Sequence, residues 1–210
     1  MHEILNQLHL IEEELKNDQN NARLWMEQGI GRHLLGEYEK ATESFRHSLH
    51  LNKENHSCHY NLANSLMELQ NPEQAIHHYL KALELKADHI PSLNNLADAY
   101  EQIEKPEKAH EIFHYLIRLN PDAALSHFNL GNFFVRQSQH IEAVKCYEKT
   151  LHLDDGFTDA YYNIAWILAQ VRADEKALEF CEKGLKTDPE HEEIKKLYNE
   201  LKPPDSSETE

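Results

Sequence analysis

The 210-residue chain is short of the residues that interrupt helices, with only 6 glycines and 7 prolines. That scarcity, beside abundant Leu, Ala, Glu and Lys, excludes collagen-like and loop-rich architectures and points to helix. Cysteine is equally sparse: Cys58, Cys146 and Cys181 are odd in number and never spaced C-x-x-C. This argues for reduced thiols, against a disulfide framework or a structural zinc site. Positive charge is outnumbered, with 21 Lys and Arg against 37 Asp and Glu, a net −16 with neutral histidine. Nonspecific binding to nucleic acid or to an anionic membrane is therefore not expected. No apolar run approaches the length that crosses a bilayer. The opening "MHEILNQLHLIEEELK" has neither the basic start nor the apolar core of an export signal. A soluble, cytoplasmic protein is the expectation.

What the chain does have is a ruler. Alanine recurs at 41, 75, 109, 143 and 177, in equal steps with no insertion. The same step lands on Phe45, Tyr79, Phe113 and Tyr147, then on Cys181 where an aromatic is due. It lands again on Leu49, Leu83, Ile117, Leu151 and Leu185, and on the small residues Gly29, Ala63, Ala97, Gly131 and Ala165. A fixed period of this length marks an array of helix pairs. Small side chains on both members of a pair let the two backbones approach closely.

The stretches "WMEQGIGRHLLGEYEKATESF" and "HFNLGNFFVRQSQHIEAVKCY" resemble tetratricopeptide repeats (TPR), as do the closing "LNPD" and "TDPE" of two of the periods. The resemblance implies an all-α, right-handed superhelical solenoid of five helix-turn-helix repeats: 22–55, 56–89, 90–123, 124–157 and 158–191. Gln28 and Arg32 depart from it, standing where apolar residues are due in the first repeat. Residues 1–21, with Ile4, Leu8, Ile11 and Leu15 on one stripe, read as an N-terminal capping helix. Residues 192–202, with Ile194, Leu197, Tyr198 and Leu201, read as a C-terminal one, and 203–210 as a disordered acidic tail.

"HEIFH" at 110–114 spells the H-E-x-x-H of zinc peptidases, in which two histidines hold the metal and the glutamate activates its water. Here the letters interleave with the packing residues Ala109 and Phe113. No common continuation supplies a third ligand. In a chain with 16 histidines the match reads as accidental. His56 with His59, and the adjacent His77 and His78, read as helix surface. No metal, no cofactor and no catalytic residue are expected, since the repeats and caps take up nearly the whole chain.

Numbering each first helix from its start, positions 4, 7, 8 and 11 pack, and positions 2, 6, 9 and 13 lie opposite. Position 6 is Asn61, Asn95, Asn129 and Asn163, with Glu27 in the first repeat. Asparagine is a mediocre helix former, so four copies at one register ask for a reason. Inherited consensus or local bonding along the helix is one. The resemblance offers another, because in this family first helices line the concave surface. An asparagine row there is similar to the ladder of the O-linked N-acetylglucosamine transferase repeats. A side-chain amide pairs with a peptide's N–H and C=O together, which reads an extended backbone almost regardless of sequence. Beside the ladder stand Asn64, Asp98, Asn132 and Trp166 at position 9, and Tyr60, Phe128 and Tyr162 at position 5. The clamp that chaperone-binding members use for a C-terminal carboxylate has no counterpart, because Arg23 and Arg136 are isolated.

The function expected is a noncatalytic adaptor that holds an extended protein or peptide segment in a ladder-lined groove. A self-assembling scaffold is the alternative, and a secretion-type chaperone a lesser one.

Overall fold

The computed structural model describes residues 2–202 and contains twelve helices and no strand among them. The 203–210 segment, expected as an acidic tail, lies outside the described residues. Five helices of 13 residues each are α2 (Ala22–Leu34), α4 (His56–Glu68), α6 (Ile90–Gln102), α8 (Ala124–Arg136) and α10 (Thr158–Gln170). Each is followed by one of 14 residues: α3 (Tyr38–Leu51), α5 (Pro72–Leu85), α7 (Pro106–Leu119), α9 (His140–Leu153) and α11 (Asp174–Thr187). α1 (His2–Asn17) precedes them and α12 (Glu192–Leu201) follows. The chain divides into two compact units, residues 1–116 and 117–210.

The helix boundaries have local causes. Asn21 and Asn55 cap α2 and α4 by accepting from the backbone N–H of Leu24 and Cys58, and Pro72 and Pro106 open α5 and α7, where a missing N–H costs nothing. Every first helix ends in a left-handed residue at the same register: Gly36, Gln70, Glu104, Ser138 and Arg172, with φ between 55° and 76°. The next N–H turns back to the helix's last turn in each case, as from Glu37 to Arg32 O at 2.9 Å and from Asn71 to Leu66 O at 2.9 Å.

In unit 1, Ala41, Ala75, Ala109 and Phe45 are fully buried, and Tyr79 nearly so. The ring of Phe45 lies so close over Gly29 that a Cβ there would sit 2.6 Å from it. The departures of the first repeat are compensated. Buried Gln28 accepts a 2.8 Å hydrogen bond from Ser44 Oγ, and Arg32 pairs with Glu12 at 2.8 Å and Glu37 at 3.0 Å. Arg32 thereby pins α1 to the first pair. On α1, Leu8 and Leu15 are buried while Ile4 and Ile11 stay half-exposed.

Unit 2 repeats the scheme, with Tyr147 over Gly131, and closes differently. Cys181 replaces the aromatic ring, and Ile194 of α12, fully buried, packs with Ala165, Ala177 and Cys181. Gly184 makes the room: a Cβ there would come within 2.6 Å of Ile194 Cδ1. At the register of Ile194, α4, α6, α8 and α10 carry the small residues Cys58, Ser92, Ser126 and Ala160, while α2, which follows α1, carries Leu24.

Candidate functional site

Asparagine side chains of successive first helices meet in unit 1. Asn64 Oδ1, on α4, accepts from the Tyr79 hydroxyl of α5 at 2.7 Å and from Asn95 Nδ2 of α6 at 2.9 Å. Burial pushes the Tyr79 phenol well above its ordinary range, so it remains a proton donor at any physiological pH. Two donors occupy the Asn64 oxygen, so its amide N–H groups and the Asn95 oxygen are not used in this junction. Asn64 and Asn95 line a polar cleft of about 420 Å³ whose rim includes His33, Glu68, Asp98 and Gln102.

Unit 2 builds the same junction two periods further along the chain. Asn132 Oδ1 accepts from the Tyr147 hydroxyl at 2.7 Å and from Asn163 Nδ2 at 3.3 Å. Burial raises the Tyr147 phenol as it does that of Tyr79. The tyrosines escaped the sequence reading of the site, although a signal was present. Tyrosine stands on the ruler where position 9 is asparagine, as at 64 and 132, and phenylalanine where position 9 is Ile30 or Asp98.

Asn61 and Asn129 are half-buried on α4 and α8. The position-5 rings lie elsewhere than on the cleft. Tyr60 meets His89 edge-on at 5.1 Å, Phe128 meets Phe157 at 4.7 Å and Tyr162 stacks on His191 at 6.1 Å. Each of these partners is the residue just before the next helix that opens a pair or caps the array. Met26, also at position 5, receives Asn55 Nδ2 at 3.5 Å in the same way. This register staples one helix pair to the next. Trp166 is half-buried in unit 2 and packs on both of its core clusters.

Histidines pair both across helices and within them. His59 Nδ1 lies 3.0 Å from His78 Nδ1, and the His56 ring is 5.2 Å from that of His89. Burial holds His78 down to about 4 and lowers His59 as well. His110 and His114 bring Nε2 atoms within 2.9 Å of each other. Among the described residues, no group of three or more His, Cys, Asp or Glu is placed to hold a metal ion. Burial pushes all three thiols up to about 11, so they stay protonated. No described helix is long and apolar enough to cross a membrane.

Comparison with curated proteins gives no match. The structure is similar to that of MamA (22% identity, 77% of this chain and 94% of that one, TM-score 0.65). It is also similar to YrrB, described as a TPR protein with an unusual peptide-binding site (20%, 90% and 97%, TM-score 0.63). A third likeness is to the C-terminal part of a TPR repeat-containing protein from Cytophaga hutchinsonii (14%, 95% and 80%, TM-score 0.79). At these identities the likenesses speak to the fold alone. Tetratricopeptide-repeat family signatures match residues 55–114, 94–156 and 158–191, and with its helix pairs recurring at one fixed period the chain belongs to the tetratricopeptide repeat family.

Proposed function

We propose that the chain is a noncatalytic adaptor that holds an extended segment of another protein along its asparagine-bearing face. Membership of the family carries protein–protein interaction as its general role, and the asparagine–tyrosine–asparagine junction supports the finer reading. In each junction a buried phenol and a neighbouring amide saturate one asparagine oxygen. The amide groups not used in the junction are held in place before any ligand arrives, which reduces the entropy lost on binding. What they offer is a donor at one register and an acceptor at the next, the complement of a peptide backbone. Successive first helices lie about 10 Å apart and a strand rises about 3.3 Å per residue, so one rung meets about every third ligand residue. YrrB, named for a peptide-binding site, makes a peptide the ligand class to carry over. Each hydrogen bond contributes about 0.5–1.5 kcal/mol net, so micromolar affinity is expected.

The test is a peptide-display selection on the wild type. Its winners are then titrated against a variant combining Asn61→Ala, Asn95→Ala, Asn129→Ala and Asn163→Ala, after circular dichroism shows both proteins equally helical. A loss of at least about tenfold, set by one or two hydrogen bonds, is expected. Winners that bind the variant equally well would move the site off this face.

A further inference from the structure

A second surface, between α1 and α2, carries a different chemistry. α1 and α2 enclose a cleft of about 380 Å³ walled by Ile4, Leu8, Ile11, Ile30 and Leu34. Leu10 and Leu34 are 63% and 62% exposed, far more than side chains of this size need to be at a closed helix contact. Of the five first helices only α2 is apolar at the registers of both Ile30 and Leu34. At the register of Leu34 the four later first helices carry Glu68, Gln102, Arg136 and Gln170, and at that of Ile30 the next three carry Asn64, Asp98 and Asn132.

The walls are shaped for a helix. On the same ruler Gln7, Ile11 and Leu15 of α1 fall in step with Ala41, Phe45 and Leu49 of α3, the face on which α2 packs. First helices also touch their successors, α2 with α4 and α4 with α6. A helix lying on α1 in the manner of α2 on α3 would therefore reach α2 as well, and those are the two walls of the cleft.

Charge selects among helices. Glu3 and Glu14 continue the Gln7 and Leu10 face of α1 at its two ends, at i, i+4, i+7 and i+11, while Glu27 on the opposite wall is already paired with Arg23 at 2.6 Å. The single lysine of α1, Lys16, is paired with Glu13. A second copy of the chain would bring its own net −16 and its own acidic α1 to this rim, so self-docking is disfavoured. We propose that the α1–α2 cleft docks an amphipathic helix of another protein, with an apolar stripe at i, i+3 or i+4, and i+7 and lysine or arginine on its flanks.

The test uses an end-capped synthetic peptide of about 14 residues, four helical turns, with a leucine stripe flanked by lysines and a fluorophore for anisotropy. A second peptide carries glutamate in place of every lysine. The protein variant is Ile30→Asn with Leu34→Gln. It installs residues that other repeats already hold at these registers and leaves the net charge unchanged. The lysine peptide is expected to bind the wild type, more weakly as salt rises, and to bind the variant at least tenfold more weakly. The glutamate peptide is expected to bind neither protein. Equal binding of the lysine peptide to both proteins would overturn the proposal by reducing the effect to bulk charge. So would a glutamate peptide as good as the lysine one, or no binding up to about 1 mM, an affinity of about 4 kcal/mol. A wild type that sediments as a dimer while the variant sediments as a monomer would also overturn it, by assigning the cleft to a second copy.

Discussion

Phe45 and Ile30 occupy in the first helix pair the places that Tyr79 and Asn64 hold in the second, and Asn61 stands where Asn95 does. Phe45→Tyr alone sets a hydroxyl against Ile30 at a position that is 0% exposed, without the counterpart of Asn64 that accepts the Tyr79 proton in the second pair. An unmet buried polar group costs about 1–3 kcal/mol. Ile30→Asn alone removes half-buried apolar contact, about 1 kcal/mol. The double variant recreates the register of Asn64, Tyr79 and Asn95, with Asn61 as its third member, and the pair recovers about 1–2 kcal/mol of coupling. Tyr147 packed over Gly131 shows that a phenol ring fits above a glycine at the register of Gly29. Urea unfolding of the four proteins closes the cycle. Repeat arrays need not melt in one step, so Trp25 on α2 is read by fluorescence in a Trp166→Phe background, alongside far-ultraviolet circular dichroism. A coupling energy of zero within error would refute the claim that these three residues act as a unit.

Three further outcomes are expected. The His78 imidazole is held neutral, down to about 4 against an ordinary 6.5, so stability present above pH 6.5 is lost as the pH falls from about 6.5 to 4. Arg46, His77 and His59 crowd the same ring and act in the same direction. His78 is partly exposed, and after solvent screening the loss is about 1 kcal/mol. His78→Ile, the residue at 112 on the same register, flattens the melting-temperature profile in that window, and an unchanged slope contradicts the assignment. Ser44→Ala strands the buried Gln28 oxygen and costs about 1–2 kcal/mol, while adding Gln28→Leu returns most of it. A double variant no more stable than the single would show that the pair is not what holds this packing. Gln70→Gly and Ser138→Gly relieve left-handed backbone at φ 56° and 58° and raise stability by about 0.5 kcal/mol each, because the strain removed exceeds the entropy that glycine adds. Lower midpoints for both would contradict this.

The helix-pair architecture was legible because it rests on residues that repeat singly: one alanine, one ring and one small residue per period. What escaped depends on pairs. Only Gly36 among the five left-handed residues announces its turn, since Gln70, Glu104, Ser138 and Arg172 have no such signature. Gln28 looked like a flaw until Ser44, on the next helix, supplied its hydrogen bond, and Arg32 until Glu12 did. Asn64, Asn95 and Asp98, picked out one at a time by register, do converge on one cleft. The tyrosine that fixes the two amides belongs to a second helix, which the reading of first-helix faces did not search. The rings of Tyr60, Phe128 and Tyr162 carry the same composition whether they staple repeats or greet a ligand. Their packing on the residues at 89, 157 and 191 could not be read from first-helix registers alone.

The fifth helix pair has consequences for how such a chain can change length. Duplicating one period adds a compatible segment wherever the incoming first helix brings a small residue to the register of Cys58, Ser92, Ser126 or Ala160. The surface presented by Cys181 and Gly184 is hollowed to the measure of Ile194, and a serine or alanine set there would leave a void. Growth by duplication is therefore accepted upstream of α11 and penalised directly after it. The number of repeats is free to drift, while the join between α11 and α12 is inherited as one piece.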